Sequence, residues 1–461
     1  MKPSIPQGTR DFSPTVVRKR HFILKTIQNV FEVFGFLPLE TPSMENLTTL
    51  MGKYGEEGDR LIFKILNNGI NDSKNSEKAR VAFEKVMQGK SDPNLTERAL
   101  RYDLTIPFAR YVVMHQNDIA FPFRRYQMQP VWRGDRPGHG RYREFWQCDA
   151  DVVGSNSLIN EAELLCVYRG AFHNLQMPGI KVKINSRKVL AGLAECCGAS
   201  DLLTDITVAI DKIDKIGLDG VHKELSGRGL TEDKIQFITA YLNIKGDTEQ
   251  QMSEMAALLA ASEMAQNGIK ELRDTLNYHA QLENKAWQSE VVVDFTLARG
   301  LNYYTGIIVE VTTDAVKMGS IGGGGRYDDL TGLFGLKGLS GVGISFGIDR
   351  IYDVMEELDI FPKQLASSTK VIFLNIDAEA EQQIFTYLNE LRQAGIAAEY
   401  YMDKAKFDKQ MKYADKRNIP FVAIIGETER AEQIITLKNM ETGQQMKVNI
   451  DDLKEAVLLS K

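Results

Sequence analysis

Cysteine is scarce in this chain. Its 461 residues include four, at positions 148, 166, 196 and 197. None forms a Cys-x-x-Cys pair, so the sequence predicts no zinc site of the usual spacing, and we assign no metal ligands. The adjacent pair Cys196 and Cys197 is more often two packed thiols than a disulfide. A hydrophobic content of 43% is ordinary for a globular protein and supplies a core without disulfides.

Long apolar runs are also missing. No stretch reaches the roughly 18 apolar residues that a membrane-spanning helix needs. The first residues, MKPSIPQGTRDFSP, contain no apolar signal core. We therefore expect a cytoplasmic protein with no membrane partner. The net charge of −6 at pH 7 neither indicates nor excludes a nucleic-acid partner, because local basic patches decide that question.

The common phosphate-binding loops are absent in their complete form. The run GKS at 89–91 ends like a P-loop, but Glu84 stands where that loop needs its first glycine. The run GVGISFG begins like a dinucleotide fingerprint at Gly341, but Phe346 stands where the third glycine belongs. An ATP site in this chain must therefore use another arrangement.

The first half of the chain alternates between helical and strand-like patterns. Residues 16–34 have apolar side chains at helical spacing, which predicts a helix. Residues 67–98 are polar and predict a loop or an excursion from the domain, with a short helix around 77–88. Strands are expected at 119–133 and 145–153, joined by a turn rich in glycine and arginine.

The second half predicts two further units. Residues 200–285 have helical periodicity throughout and predict an inserted helical domain. From residue 368 to 461, strand-like runs alternate with helical ones. That alternation predicts a small α/β domain with a largely parallel sheet. The stretch FPKQLASSTK before it is typical of a linker.

Four arginines lie close together in the turn between the two predicted strands: Arg133, Arg136, Arg141 and Arg143. Guanidinium groups bind phosphates and carboxylates bidentately. Alternation along the next strand puts Gln147, Asp149 and Asp151 on one face. A solvated basic hairpin is the simpler interpretation of the arginines alone. A polar strand face beside them is costly in a core, however, and favours a binding site.

Three further motifs have chemistry that suits a pocket. LRYDLTIPFARY, residues 100–111, places polar Asp103 and Thr105 among apolar residues. LARGLNYYTG, residues 297–306, combines a positive charge, two tyrosines and a turn. The glycines of IGGGGRYDDL allow another backbone or a flat ligand to approach closely. Arg350 falls in the first turn of a predicted helix, where a bound anion would stabilise it.

Taken together and in this order, these motifs resemble those of class II aminoacyl-tRNA synthetases, and in particular of histidyl-tRNA synthetases. The first helix and the run FLPLETP after it, which we interpret as a short strand broken by Pro38 and Pro42, are similar to motif 1. Residues 131–154 are similar to motif 2, and residues 341–352 to motif 3. LRYDLTIPFARY, LARGLNYYTG and GGGGRYDDL are similar to segments particular to the histidine enzymes. The runs RYDLT and REFWQCDAD resemble the eukaryotic-like branch.

The resemblance implies an α+β catalytic core with an antiparallel sheet of six or more strands, formed by residues 1–199 and 286–362. It further implies that residues 200–285 are a helical insertion and that residues 368–461 are an α/β anticodon-binding domain. The implied partners are L-histidine, ATP with Mg²⁺, tRNA(His) and a second copy in a homodimer. The implied reaction forms histidyl-adenylate and then charges the tRNA.

Site residues follow from the resemblance by position. The resemblance implies that Asp103, Thr105 and Gln147 hold the α-amino and carboxylate ends of histidine, while Asp151 and Tyr304 bracket the imidazole. Tyr303 and Tyr327 complete the histidine pocket. The implied ATP-binding residues are Arg133, Arg143, Arg299 and Arg350, of which Arg133 and Arg299 are the catalytic pair and Arg350 contacts the γ-phosphate.

Two features of the sequence extend this assignment. Lysines at helical spacing in the last domain are candidate tRNA contacts: Lys406, Lys409, Lys412 and Lys416. A solvated helix face is the simpler interpretation of those lysines taken alone. Asn302 stands where the family usually has aspartate, which removes a negative charge beside Arg299. We expect weaker activation if that charge tunes the arginine.

Two alternatives share the fold. One is a non-catalytic, histidine-binding regulatory subunit, but such relatives usually lack the anticodon domain and the ATP-contacting arginines. The other is a class II synthetase for another amino acid, or an amide-forming relative. The YY and QCDAD segments favour histidine over those substrates.

Overall fold

The computed structural model describes residues 2–52, 55–298 and 303–459. The chain divides into two compact units, the first formed by Met1–Asp11 and Arg20–Ile360 and the second by Phe12–Lys19 and Phe361–Lys461. None of the described helices is long and apolar enough to cross a membrane.

The strands of the first unit form two sheets. In chain order they are β1 (Leu37–Pro38), β2 (Met44–Asn46), β3 (Lys64–Ile65), β4 (Arg98–Leu100), β5 (Phe123–Trp132), β6 (Glu144–Val153), β7 (Ile180–Ser186), β8 (Glu290–Val293), β9 (Ile307–Thr313), β10 (Gly322–Asp328) and β11 (Ser340–Gly347). The described residues up to Ile360 also form α-helices. In chain order they are α1 (Pro14–Val33), α2 (Leu47–Leu50), α3 (Gly55–Arg60), α4 (Ser76–Met87), α5 (Thr105–Met114), α6 (Ile159–Asn174), α7 (Arg187–Cys196), α8 (Leu203–Ile210), α9 (Ile213–Gly227), α10 (Glu232–Asn243), α11 (Thr248–Leu258), α12 (Glu263–Leu282) and α13 (Ile348–Glu357).

The larger sheet has the order β1-β5-β6-β11-β10-β9-β7-β8 among the described strands. Its six inner strands pair antiparallel, which confirms the predicted antiparallel sheet. Both edge strands pair parallel, β1 with β5 and β8 with β7. Parallel neighbours need a long crossover, and the helices α7 to α12 provide it between β7 and β8. The sheet is therefore mixed at its edges.

Helices α8 to α12 occupy the region where the sequence predicts a helical insertion. Helix α12 lies close to α7. A Cβ added at Gly192 of α7 would be only 2.4 Å from the Cβ of Ala265 in α12. A contact also joins this region to the sheet domain, since Tyr241 of α10 donates a 2.7 Å hydrogen bond to the carbonyl of Phe295. The helical region is thus packed against the residues just before LARGLNYYTG, residues 297–306, which we call the signature loop.

The polar segment 67–98 contains helix α4, which confirms the short helix predicted around 77–88. Beside it, β2, β4 and β3 form a three-stranded antiparallel sheet. Ala79 and Ala82 are the buried residues of α4, so this helix presents a narrow apolar stripe to the domain.

The second unit has a five-stranded sheet with helices on it. Its strands are β12 (Val371–Phe373), β13 (Ala398–Tyr400), β14 (Phe421–Ile424), β15 (Ile435–Asn439) and β16 (Gln445–Val448), and its helices are α14 (Glu381–Gln393), α15 (Phe407–Lys416), α16 (Glu427–Glu432) and α17 (Ile450–Leu459). In the order β13-β12-β14-β15-β16, the first two pairs are parallel and the last two antiparallel. The expectation of a largely parallel sheet is therefore wrong for its second half, where short connections turn the chain back.

Candidate active site

A polar face of strand β6 forms the floor of the candidate site. Gln147, Asp149 and Asp151 alternate along the strand, and both aspartates are only 2% exposed. Strand β11 pairs with β6 so that Ser345 lies opposite Asp149 and Gly343 opposite Asp151. Residues directly opposite each other in a sheet share a face. The polar face that the sequence predicts is present, and it lies inside the protein.

Asp151 contacts partners from two other strands. The guanidinium of the fully buried Arg125 lies 2.7 Å from its Oδ2, and the Tyr327 hydroxyl donates a 2.6 Å hydrogen bond to its Oδ1. Burial raises the pKa of Asp151, and the positive charge of Arg125 opposes that rise. A carboxylate at this depth is tolerated because it is paired and hydrogen-bonded.

Glycines on β11 leave the space for these contacts. A Cβ at Gly343 would lie 1.9 Å from Asp151 Oδ1, and a Cβ at Gly341 would lie 2.3 Å from the ring of Tyr327. Strand β11 runs between β6, which carries Asp151, and β10, which carries Tyr327. Side chains from the two flanking strands can therefore meet across it.

Tyrosine rings line the same pocket. The ring centre of Tyr303 is 4.9 Å from that of Tyr304 and 6.2 Å from that of Tyr327. A Cβ at Gly325 would come within 2.9 Å of the Tyr304 ring. Burial raises the pKa of Tyr304, and the nearby charge of Asp149 adds to the rise. The Tyr304 hydroxyl therefore stays protonated near neutral pH and can donate a hydrogen bond.

Arg299 and Asn302 lie outside the described residues, but both ends of their loop are held by one residue. The backbone N–H of Arg187 donates to Gly306 O at 2.8 Å, and its guanidinium donates to Ala298 O at 3.3 Å. Arg187 begins helix α7, so the start of this helix contacts described residues on both sides of positions 299–302.

Asp103 and Thr105 lie where helix α5 begins, and both are buried. Asp103 Oδ1 accepts a 3.1 Å hydrogen bond from the backbone of Ile106. The carbonyl of Leu104 accepts one from Arg125 at 3.4 Å. The arginine that pairs with the carboxylate on β6 therefore also contacts this turn, and the two parts of the predicted histidine site lie together.

Arginines of the predicted turn differ in their surroundings. Arg133 donates from Nε to the carbonyl of Tyr102 at 3.1 Å, and its guanidinium carbon lies 4.2 Å from the centre of that tyrosine ring. Arg143 donates to a carbonyl of its own turn at 3.2 Å. Arg136 and Arg141 are exposed. The arginines therefore do not form one uniform patch, and Arg133 is the one that contacts Tyr102, the residue before Asp103.

Arg350 joins the first turn of α13 to two neighbouring segments. Its guanidinium donates to the carbonyl of Gly140, at 2.8 Å from Nε, and to that of Ser320. The adjacent Asp349 is 3% exposed and accepts a 2.6 Å hydrogen bond from Arg20. The start of α13 is thus tied to the arginine-rich turn that contains Gly140.

An open cavity of about 690 Å³ borders the signature loop and the helical region. Helices α7 and α8 form much of its wall, and the residues on both sides of positions 299–302 complete it. Its basic lining residues include Arg187, Lys188 and Lys212, and Tyr304 reaches it from the histidine pocket side.

The four lysines of the second unit that are candidate tRNA contacts are all exposed. Lys406 precedes helix α15, while Lys409, Lys412 and Lys416 lie within it. The helix buries Gln410 and Ala414 instead. The lysines are available to a partner, which does not by itself distinguish a tRNA contact from a solvated face.

Some residues of the site carried too little sequence signal to be assigned. Arg125 lies in an ordinary strand, and Arg187 begins an ordinary helix. Asp149 did carry a signal, since it alternates with Gln147 and Asp151 on the predicted polar face. Its burial is the observation that makes it a member of the site.

Comparison with known proteins gives one family for the whole chain. A family model described as histidyl-tRNA synthetase matches residues 71–351, and one described as an anticodon binding domain matches residues 369–459. A histidine–tRNA ligase of Christiangramia forsetii is 52% identical over 457 residues, which cover 99% of each chain. One of Porphyromonas gingivalis is 51% identical over 455 residues, which cover 98% of each.

A solved structure agrees with these matches. The histidyl-tRNA synthetase of Nostoc sp. PCC 7120 superposes with a TM-score of 0.82 at 30% identity, and the match covers 99% of both chains. These relatives are all bacterial, so the expectation of a eukaryotic-like branch has no support.

Proposed function

The chain belongs to the histidyl-tRNA synthetase family and is a histidine–tRNA ligase, and on that premise we propose which residues bind each substrate. The enzyme activates L-histidine with ATP to histidyl-adenylate and pyrophosphate, then transfers histidine to the 3′ end of tRNA(His). The observation that carries the assignment is the buried carboxylate of Asp151, held between Arg125 and Tyr327.

Asp151 and Tyr304 recognise the two ring nitrogens of histidine. Asp151 accepts a hydrogen bond from a ring N–H, and its pair with Arg125 keeps it in place. The protonated hydroxyl of Tyr304 donates to the other nitrogen. Any amino acid without both groups leaves a buried polar atom unpaired, and sites of this kind discriminate by roughly 10⁴–10⁵ without editing. Tyr303 and Tyr327 close the pocket around the ring.

Asp103, Thr105 and Gln147 hold the α-amino and carboxylate ends, which directs the carboxylate toward the α-phosphorus of ATP. The carboxylate attacks in line and pyrophosphate leaves, so catalysis consists of positioning and neutralisation of developing charge. Arg133 supplies one positive charge, and its stacking on Tyr102 limits its movement. We assign the second charge to Arg299 from its place in the sequence motif.

Arg143 and Arg350 contact the triphosphate, with Arg350 at the γ-phosphate. The guanidinium of Arg350 donates to two backbone carbonyls. Exchange of those acceptors for phosphate is favourable, because a charge-assisted hydrogen bond is about twice as strong as a neutral one. Among the described residues, no three His, Cys, Asp or Glu side chains cluster as metal ligands. We treat Mg²⁺ as part of the substrate MgATP, in which the ion is bound to the phosphates.

The tRNA contacts more than one part of the chain. We assign residues 1–199 and 286–362 to the catalytic core, 200–285 to a helical insertion and 368–461 to the anticodon-binding domain, where Lys406, Lys409, Lys412 and Lys416 contact phosphates. The basic cavity beside α7 and α8 suits the acceptor end of the tRNA, since it borders both the insertion and Tyr304.

A homodimer built on motif 1 completes the proposal. Its support is apolar surface at the end of α1 and on the edge strand β1, where Val33 is 84% and Leu37 58% exposed. Exposed apolar groups beside an unpaired strand edge are typical of an interface. We place the enzyme in the cytoplasm, because its tRNA substrate is used in translation there.

Pyrophosphate exchange with each amino acid in turn tests the substrate assignment. We expect exchange with histidine alone, and exchange with another amino acid would overturn the pocket described here. Arg299→Ala tests the catalytic assignment, since it should abolish adenylate formation while the protein remains folded.

A further inference from the structure

Asp149 is a buried carboxylate to which the proposed function assigns no role. It lies between Gln147 and Asp151 on the polar face of β6. Ser345, its neighbour on β11, gives it a hydrogen bond. The same Ser345 hydroxyl accepts a 3.0 Å hydrogen bond from Gln147 Nε2. Gln147, Ser345 and Asp149 therefore form a short hydrogen-bonded series along the pocket floor.

Two acceptor atoms of this series have no donor. Within the part of the chain that the structure describes, neither Oδ1 of Asp149 nor Oε1 of Gln147 accepts a hydrogen bond, although both atoms are buried. Buried acceptors are nearly always satisfied in native proteins, so a pair of them beside a substrate pocket points to a ligand. The ligand must offer at least two hydrogen-bond donors, because each acceptor needs one.

The charge around Asp149 further limits the ligand. Burial raises the pKa of Asp149 to about 7, the positive charge of Arg125 opposes the rise, and Asp151 adds to it. Among the described residues, the titratable and charged groups that act on Asp149, or on which it acts, include Arg101, Asp103, Arg125, Cys148, Asp151, Tyr168 and Tyr304. A cationic ligand group is favoured in this field, and a phosphate is not.

We propose that Asp149 is a further substrate-binding residue, which accepts a hydrogen bond from the α-ammonium group of histidine together with Gln147 Oε1. This inference rests on the proposed histidine site and adds a residue to it. The imidazole is already matched by Asp151 and Tyr304, whereas the ammonium has three N–H donors and a positive charge. It therefore meets both requirements of the unsatisfied acceptors.

Proton release on binding is the consequence that distinguishes this role from a structural one. In the free enzyme, Asp149 is largely protonated below pH 7. The ammonium stabilises the ionised form, so its arrival lowers the pKa of Asp149 and expels that proton. A ligand that lacks the ammonium should leave the proton in place.

The experiment compares wild type with Asp149→Asn by isothermal titration calorimetry at pH 6.5, in two buffers of different ionisation enthalpy. The ligands are histidine, histidinol, which keeps the ammonium but lacks the carboxylate, and imidazolepropionate, which lacks the ammonium. We expect Asp149→Asn to weaken histidine and histidinol about 10- to 100-fold and imidazolepropionate by less than about threefold. Wild type should release over half a proton more than the variant with the first two ligands only, given a pKa of about 7.

Each other outcome overturns the inference. Equal weakening of all three ligands would show that Asp149 only supports the pocket, and no weakening would show that it makes no contact. Should the variant fold poorly, the wild-type comparison of histidine with imidazolepropionate still decides, once the proton that each ligand's own imidazolium loses on binding has been subtracted. An equal remainder for the two ligands excludes the ammonium contact. Failure of wild type to bind histidine at all would instead refute the histidine site itself.

Discussion

Tyr327 and Asp151 lie on strands that are not neighbours, yet the tyrosine hydroxyl donates a 2.6 Å hydrogen bond to the aspartate. The contact crosses β11, which lies between their strands β10 and β6. It therefore fixes the position of the Asp151 carboxylate from the side opposite Arg125.

Tyr327→Phe removes the hydroxyl and keeps the ring. Asp151 then loses a donor while it stays buried, a loss of roughly 1–3 kcal/mol in comparable cases. We expect the KM for histidine in pyrophosphate exchange to rise about 10- to 100-fold, with the KM for ATP nearly unchanged. A parallel rise in both constants would contradict a role confined to the histidine pocket.

Gly343→Ala tests the space above β11. Its Cβ would lie 1.9 Å from Asp151 Oδ1, so the carboxylate must move. A displacement of about 1 Å costs on the order of 100-fold in rate at a positioned site, and we expect at least that loss in histidine activation. Gly347→Ala is the matched control on the same strand, because its nearest neighbour would be 3.5 Å away. Similar losses in both variants would mean that the strand, and not the contact, is sensitive.

Arg187→Met removes the guanidinium that donates to Ala298 O and keeps a chain of similar length. The loop that carries Arg299 and Tyr304 then loses one of its two ties to α7. We expect kcat for adenylate formation to fall about tenfold or more, while the melting temperature changes little. Lys188→Met is the control, since Lys188 is the next residue but pairs with Glu271. Equal activity of both variants with wild type would remove Arg187 from the mechanism.

Asp149→Asn should also change how stability depends on pH. Asp149 is ionised above about pH 3.9 in the unfolded chain, but only above about 7 in the folded one. The folded state holds this proton more tightly in that window, so the contribution of Asp149 to the free energy of unfolding is greatest below about pH 4 and declines as the pH rises to about 7. The variant lacks this decline. Its melting temperature relative to wild type should be higher at pH 8 than at pH 5, by about 1–3 °C, as scanning calorimetry would show. A constant difference would contradict the raised pKa.

Lys409→Gln combined with Lys412→Gln tests the proposed tRNA face of α15. We expect the slope of log affinity against log salt concentration to fall by about one for each lysine. Pyrophosphate exchange, which needs no tRNA, should be unchanged. Lys447→Gln on strand β16 is the control for loss of an exposed charge elsewhere in the same unit. An unchanged slope in the double variant would leave α15 as a solvated helix.

Much of the fold and part of the site could be predicted from local patterns. Alternation in β6 was sufficient to place Gln147, Asp149 and Asp151 on one face, because side-chain direction in a strand depends only on position. Arg125 could not be assigned in this way. Its importance comes from sheet pairing, which puts it opposite Asp151 in a register that the sequence does not state.

The connections between secondary-structure elements explain the other differences between the predicted and the observed structure. The second half of the C-terminal sheet turns antiparallel after β14, and the strand patterns alone did not indicate its direction. Similarly, helix α11 is capped by Asp247, whose side chain accepts a hydrogen bond from the backbone of Gln250. The neighbouring Thr248 also has a side chain that suits a cap, and composition does not distinguish the two residues. Both cases depend on backbone geometry at a boundary, where composition discriminates poorly.

The position of β11 has a consequence for how the enzyme is made. It is the last strand of its sheet to leave the ribosome, yet it lies in the middle, between β6 and β10. Until residues 340–347 are synthesised, β1-β5-β6 and β10-β9-β7-β8 have no strand to join them. A nascent chain that ends before Ser340 thus has two sheet fragments with open edges, and the proposed histidine pocket is incomplete. We therefore expect the chain to bind histidine only after the final strand has closed the gap.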